Sequence, residues 1–287
     1  MTKRMLAPYA VLAVWSLASP VLGQQLDGTL KKIKTSSTFN IGYIESVPPF
    51  SFPGPDRRPV GYSIDLCTHV ASIIQQQLGV NLKLNWVPVT AVNRIDMVAQ
   101  GKVDIECSTT TASLSRQQRV DFSLMTFVDG GGLLIKSDLN LRAVADLADM
   151  RIAVIAGTTT ETALSKFLKE EFVTVKVVPV KDHLEGRDAV EKGAVEAFAS
   201  DRGILIGLVV TAKEPKVFAI PNLQFSYEPY GFMVRRNDAA FRLVVNRALA
   251  ELYRSGNIIK IYDRWFGALG KPSPALQSMY LLNALPE

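Results

Sequence analysis

The chain has 287 residues, 48% of them hydrophobic and 21% charged, with a formal net charge of +5. That length allows one large domain or two of ordinary size, and that composition excludes a disordered or low-complexity chain. The basic residues are scattered, paired at most as in Lys31-Lys32, Arg57-Arg58 and Arg235-Arg236, so no basic patch for nucleic acid is expected.

In chain order the first element is a leader. Lys3 and Arg4 precede an uncharged, mainly apolar run from Met5 to Ser19, and Val21-Leu22-Gly23 follows. This pattern predicts a secretory signal peptide over residues 1–23, cut near Gly23. The run is about 15 residues, short of the ~20 that span a bilayer. No cysteine stands near the cut, so no lipid anchor is expected, and no later segment is long and apolar enough to cross a membrane. The only cysteines are Cys67 and Cys107. Export permits a bridge between them, and two buried free thiols are equally compatible with the sequence.

Strands and helices then alternate, the signature of α/β architecture. Thr38–Ile44 reads as a strand, and Tyr62–Leu78 as a helix with Leu66, Val70, Ile73 and Ile74 at helical spacing and Gly79 as its stop. Leu82–Val87 reads as a strand, Val92–Gln100 as a short helix, and Val103–Cys107 as a buried strand. A second α/β unit follows: strands at Arg151–Ile155, Val173–Val180 and Ala197–Ser200, and helices at Glu161–Glu171, Asp182–Lys192 and from Ile204 to Val210. Two segments of similar plan flank it, Phe127 to Lys136 and Tyr227 to Arg236, each with an aromatic lead, glycine and an apolar strand ending in basic residues. The reading is a second lobe inserted into the first, with crossings near Gly130–Leu134 and Gly231–Val234. Residues 38–130 and 235–287 form lobe 1, and residues 131–234 form lobe 2. Two tandem domains are the alternative, but they leave the helices Ala239–Ser255 and Asn257–Phe266 without a sheet to cover.

Polar chemistry concentrates at strand ends, where open α/β sheets bind ligands. Ser108-Thr109-Thr110-Thr111 follows the third strand, and Arg116 opens the next short helix. An arginine there can meet a carboxylate with two parallel hydrogen bonds. Thr158-Thr159-Thr160 follows a strand of lobe 2 and opens a helix whose free N–H groups favour anions. Asp201 ends another strand and can accept from an ammonium or cap the following helix. With two histidines, no CxxC and no HExxH, no metal site is expected; with no GxxxxGK[ST] loop and no GxSxG elbow, neither nucleotide hydrolysis nor serine catalysis is expected.

These residues resemble the family 3 solute-binding proteins of polar amino-acid ABC importers, over about Phe39 to Phe266. The likeness rests on Pro49-Phe50, Gly61-Tyr62-Ser63-Ile64-Asp65-Leu66, Gly101-Lys102-Val103-Asp104, Ser115 to Ser123, Gly157-Thr158-Thr159, Ser200-Asp201 and Trp265-Phe266-Gly267. It implies a two-lobed type II periplasmic-binding fold with two hinge crossovers, acting as a monomeric periplasmic receptor that needs no cofactor and hands its ligand to a membrane permease. It implies that Arg116, with Thr111, Thr158 and Thr159, binds an α-carboxylate, that Asp201 and Thr109 bind an α-ammonium, and that Phe50 belongs to the ligand-binding set. Within the family the chain is similar to glutamate/aspartate-binding proteins at Asn93-Arg94-Ile95 and at Val180 to His183, which places Arg94 and His183 at the ligand side chain. One departure is Ile44, where those proteins carry an arginine, so glutamine and asparagine stand next as ligands. The alternative from another class is an enzyme on the same fold, similar to cyclohexadienyl dehydratase, with Glu106 and His183 as the candidate acid–base groups.

Overall fold

The structure is a computed structural model that describes residues 26–287; the expected signal peptide over residues 1–23 lies outside the described residues. The chain begins with α1 (Gly28–Ser36), β1 (Thr38–Tyr43), the small hairpin β2 (Phe52–Pro53) and β3 (Pro59–Val60), and α2 (Tyr62–Leu78). β4 (Lys83–Pro88), α3 (Arg94–Ala99), β5 (Ile105–Glu106) and β6 (Val120–Asp129) complete the first pass through lobe 1. Lobe 2 holds β7 (Gly131–Lys136), β8 (Arg151–Ile155), α4 (Thr159–Glu170), β9 (Lys176–Val180), α5 (His183–Glu191), β10 (Ala197–Asp201), α6 (Arg202–Val210) and β11 (Phe218–Ala219). β12 (Glu228–Arg235), α7 (Ala239–Arg254), α8 (Asn257–Phe266) and α9 (Pro274–Asn283) return to lobe 1.

Local sequence explains the clearest elements. α2 buries Leu66, Val70 and Ile74 at four-residue spacing and stops at Gly79, whose φ of 62° is left-handed and whose N–H bonds back to Gln75 and Gln76. α4 and α5 start at Thr158 and Asp182, whose side chains accept from the N–H groups of Glu161 and Glu185.

Two five-stranded sheets form, in the orders β4-β1-β5-β12-β6 and β11-β7-β10-β8-β9. In the first, β1 runs parallel to β4 and β5, while β12 runs antiparallel to β5 and β6. In the second, β8 runs parallel to β9 and β10, and β7 is antiparallel to β10. β6 and β7 meet at Gly130, which is the outward crossing.

The return crossing is displaced from its expected place. Glu228–Arg235 already pairs with Val120–Asp129, so the chain is back in the first sheet before Glu228, ahead of Gly231–Val234 and of a boundary at residue 234. The pairing is long-range and antiparallel, and nothing local announces it. The expected strand Val103–Cys107 is shorter, two residues at Ile105–Glu106, because Asp104 turns to accept from the Asn40 N–H and from Lys32. α1 and α9, which periodicity did not single out, both pack on α7.

Cys67 of α2 and Cys107 form a disulfide, which decides the question the sequence left open. Phe50 is fully buried in an edge-to-face cluster with Tyr62, Phe127, Tyr230 and Phe266. One buried apolar cluster runs through both lobes, from Ile41 and Leu66 to Phe198 and Leu208. Among the described residues no helix is long and apolar enough to cross a membrane.

Candidate functional site

Both sheets present their strand ends to one cleft. β5 delivers the Ser108–Thr111 run and β10 delivers Asp201, while α4 brings the threonine run of its first turn. A cavity of about 20 Å³, room for about one water, lies between the lobes. Arg94, Thr109 and Ala91 line it from lobe 1, and Thr158, Thr160, His183, Ser200 and Asp201 are among its lobe 2 walls.

Five of the expected residues therefore share this cavity: Arg94, Thr109, Thr158, His183 and Asp201. Arg94 is buried, with Nη1 3.5 Å from the Thr109 carbonyl and with Nε lacking a protein partner among the described residues. A buried guanidinium edge without an acceptor is a donor held for something else. Asp201 sits at the N-terminus of α6 but makes no capping bond. Its carboxylate accepts instead from Thr160 at 2.9 Å and from the Tyr230 hydroxyl at 2.5 Å. Burial, with Glu228 and Asp129 adding negative charge beside it, pushes the Asp201 carboxyl up to about 7. His183 donates to or accepts from Ser46 across the cleft, Nδ1 to Oγ 3.1 Å. Burial and the nearby Arg94 pull it down to about 3, so the ring is neutral.

The other four lie outside the cavity wall. Phe50 is in the aromatic core described above. Thr111 and Thr159, one from each lobe, both donate to Oε2 of Glu228, at 2.5 and 2.9 Å. Ser226 donates to the other oxygen at 2.7 Å. Glu228 is 1% exposed, so a carboxylate of the chain itself holds the two hydroxyls together. Arg116 is buried beside them and donates to the Thr111 carbonyl at 3.0 Å. Burial and the charge of Arg94 bring its guanidinium to about 10, with Glu228, Asp201 and Glu106 opposing. It therefore stays charged at neutral pH.

The threonine run that opens α4 divides its work. Thr158 caps the helix, Thr159 reaches Glu228, and Thr160 reaches Asp201. Sequence reasoning missed Thr160, Glu228 and Tyr230. Thr160 was visible as the third hydroxyl of its run. Glu228 and Tyr230 stand in Tyr-Glu-Pro-Tyr, just before a glycine, and become site residues only through long-range pairing. Glu106, the acid–base candidate of the enzyme reading, is fully buried and accepts from Thr110 at 2.8 Å without lining the cavity. Desolvation raises its pKa. Among the described residues no group of histidine, cysteine, aspartate and glutamate side chains is arranged to hold a metal ion.

Comparison with known proteins agrees with this fold. Residues 39–268 match the model of the bacterial extracellular solute-binding proteins, family 3. The chain is 38% identical over 252 residues to an L-glutamate/L-aspartate-binding protein of Pseudomonas aeruginosa strain PAO1, covering 87% of this chain and 83% of that one. It is 33% identical over 262 residues to a glutamate/aspartate import solute-binding protein of Escherichia coli K12, covering 91% and 85%. Among solved structures it is similar to an ancestral amino-acid-binding protein, a precursor of cyclohexadienyl dehydratase. That match has a TM-score of 0.71 and 30% identity, and covers 83% of this chain and 100% of the other. With a family match over most of its length and two relatives above 30% identity, the chain belongs to the bacterial extracellular solute-binding proteins, family 3.

Proposed function

We propose that this protein is the periplasmic receptor of an ABC importer, binding a polar L-amino acid between its lobes, with glutamate and aspartate favoured and glutamine and asparagine next. The observation that carries the reading is a cavity walled by both lobes that joins a buried guanidinium at Arg94 to a buried carboxylate at Asp201. An acidic amino acid offers its ammonium to Asp201 and its side-chain carboxylate to Arg94. Asp201 and Thr109 take the α-ammonium. Arg116, with Thr111, Thr158 and Thr159, takes the α-carboxylate as the cleft widens around the ligand. Arg94 and neutral His183 face the side chain. The names of the Pseudomonas and Escherichia relatives support an acidic ligand. The protein works by hinge movement at Gly130 and the return crossing, and the closed form docks on its permease.

A thermal-shift screen over the common amino acids tests this. A ligand at a few hundred times its Kd adds about 3 kcal/mol, a shift of roughly 6–12 °C for a chain of this size. Glutamate or aspartate should give the largest shift, and no shift with any amino acid sinks the reading. Arg116→Met should abolish every shift, whereas Arg94→Gln should reorder the ligands by side chain.

A further inference from the structure

The ligand cavity has a neighbour that the α-amino-acid reading does not use. A second chamber of about 290 Å³ lies beyond the His183 ring and shares Ala91, Ile155 and His183 with the first. The two are therefore successive compartments along one cleft, and the outer one is by far the larger. Its wall is largely apolar, with Ile44, Val89, Ala91, Ile155 and Leu184, and its neutral polar groups are Ser46, Thr90 and His183. Charge is confined to Glu45, Lys181 and Asp182, of which Glu45 and Lys181 are exposed.

On the assignment above, with the ammonium at Asp201 and the side chain toward Arg94 and His183, a longer side chain would run toward this chamber, because His183 borders both cavities. A charged extension would leave water for a largely apolar wall, where the charges at Glu45 and Lys181 are exposed and screened by solvent. An uncharged extension suits it, because each methylene moved from water onto apolar surface tightens binding by a factor of about four.

We propose that the outer chamber is a subsite for a neutral extension of the ligand side chain, so that the protein takes N5-alkyl glutamines, that is, γ-glutamyl amides, alongside the free amino acid. This rests on the α-amino-acid reading above. Titration calorimetry with L-glutamate, L-glutamine and N5-ethyl-L-glutamine tests it, the tighter of the first two serving as reference. The ethyl amide should bind within about threefold of the reference or tighter. Leu184→Trp and Glu45→Trp each fill the chamber from a different lobe at an exposed position. At least one should weaken the ethyl amide tenfold or more and leave the reference within twofold. Binding of the ethyl amide at least 100-fold weaker than the reference overturns the subsite, as does tight binding that neither variant discriminates. If neither glutamate, glutamine nor the amide binds, the α-amino-acid reading itself fails, and the subsite with it.

Discussion

Asp201 is a carboxyl held out of water with two more carboxylates nearby, and that fixes how it responds to pH. Its pKa is raised to about 7, by burial first and then by Glu228 and Asp129. A carboxyl raised on folding binds its proton more tightly folded than unfolded. Its contribution to stability therefore falls as pH rises from its ordinary value of 3.8 through about 7. Binding has the opposite sign. An ammonium needs the ionised carboxylate, so affinity should rise from pH 5 to 8 and binding below pH 7 should release a proton. Calorimetry in two buffers of different ionisation enthalpy measures that release. Asp201→Asn should remove the release and weaken binding at least tenfold; a pH-independent affinity in the parent protein would place the ammonium elsewhere. Phe50 shows the converse at this scale, a residue expected at the ligand that the aromatic core absorbs.

At the scale of elements, the disulfide joins α2 to the end of β5, one residue ahead of the Ser108–Thr111 run. Cys67 and Cys107 are 40 residues apart. Closing a loop of that size restricts the unfolded chain and stabilises the fold by about 4 kcal/mol. Cys67→Ser with Cys107→Ser should lower the denaturant midpoint accordingly. An unchanged midpoint would mean that the bridge does not constrain the unfolded chain. The first turn of α4 is the second such element. Thr158 is its extended N-cap, and Thr159 and Thr160 leave the helix about 100° apart, so each finds a different partner.

For the whole molecule, function depends on how closely the lobes meet. Gly207 of α6 faces the Pro48 carbonyl of lobe 1, and a Cβ there would lie 1.9 Å from that oxygen. No side chain fits between. Gly130 is equally confined, its added Cβ 2.3 Å from the Gln224 amide, so the two crossings run side by side. Gly207→Val should hold the lobes apart. Small-angle scattering should then show the same larger radius of gyration with and without ligand, and affinity should fall at least tenfold. Ligand-induced compaction equal to that of the parent would show that α6 does not set the closed distance.

The sequence by itself determined the α/β class, the inserted second lobe and most element spans, because periodicity, caps and glycine stops are local properties. α2, α8 and β8 lie where their spacing put them. It also located the polar runs at strand ends, since the strand-to-helix switch is visible in the residues. Tertiary structure decided which strand joins which sheet, as with Glu228–Arg235, because antiparallel partners a hundred residues apart leave no local signature. It decided the cysteine pairing for the same reason. It also chose which hydroxyls face the cavity. Thr158 and Thr160 do, while Thr159 and Thr111 turn to Glu228, a choice set by where that carboxylate enters the cleft from the far end of the chain.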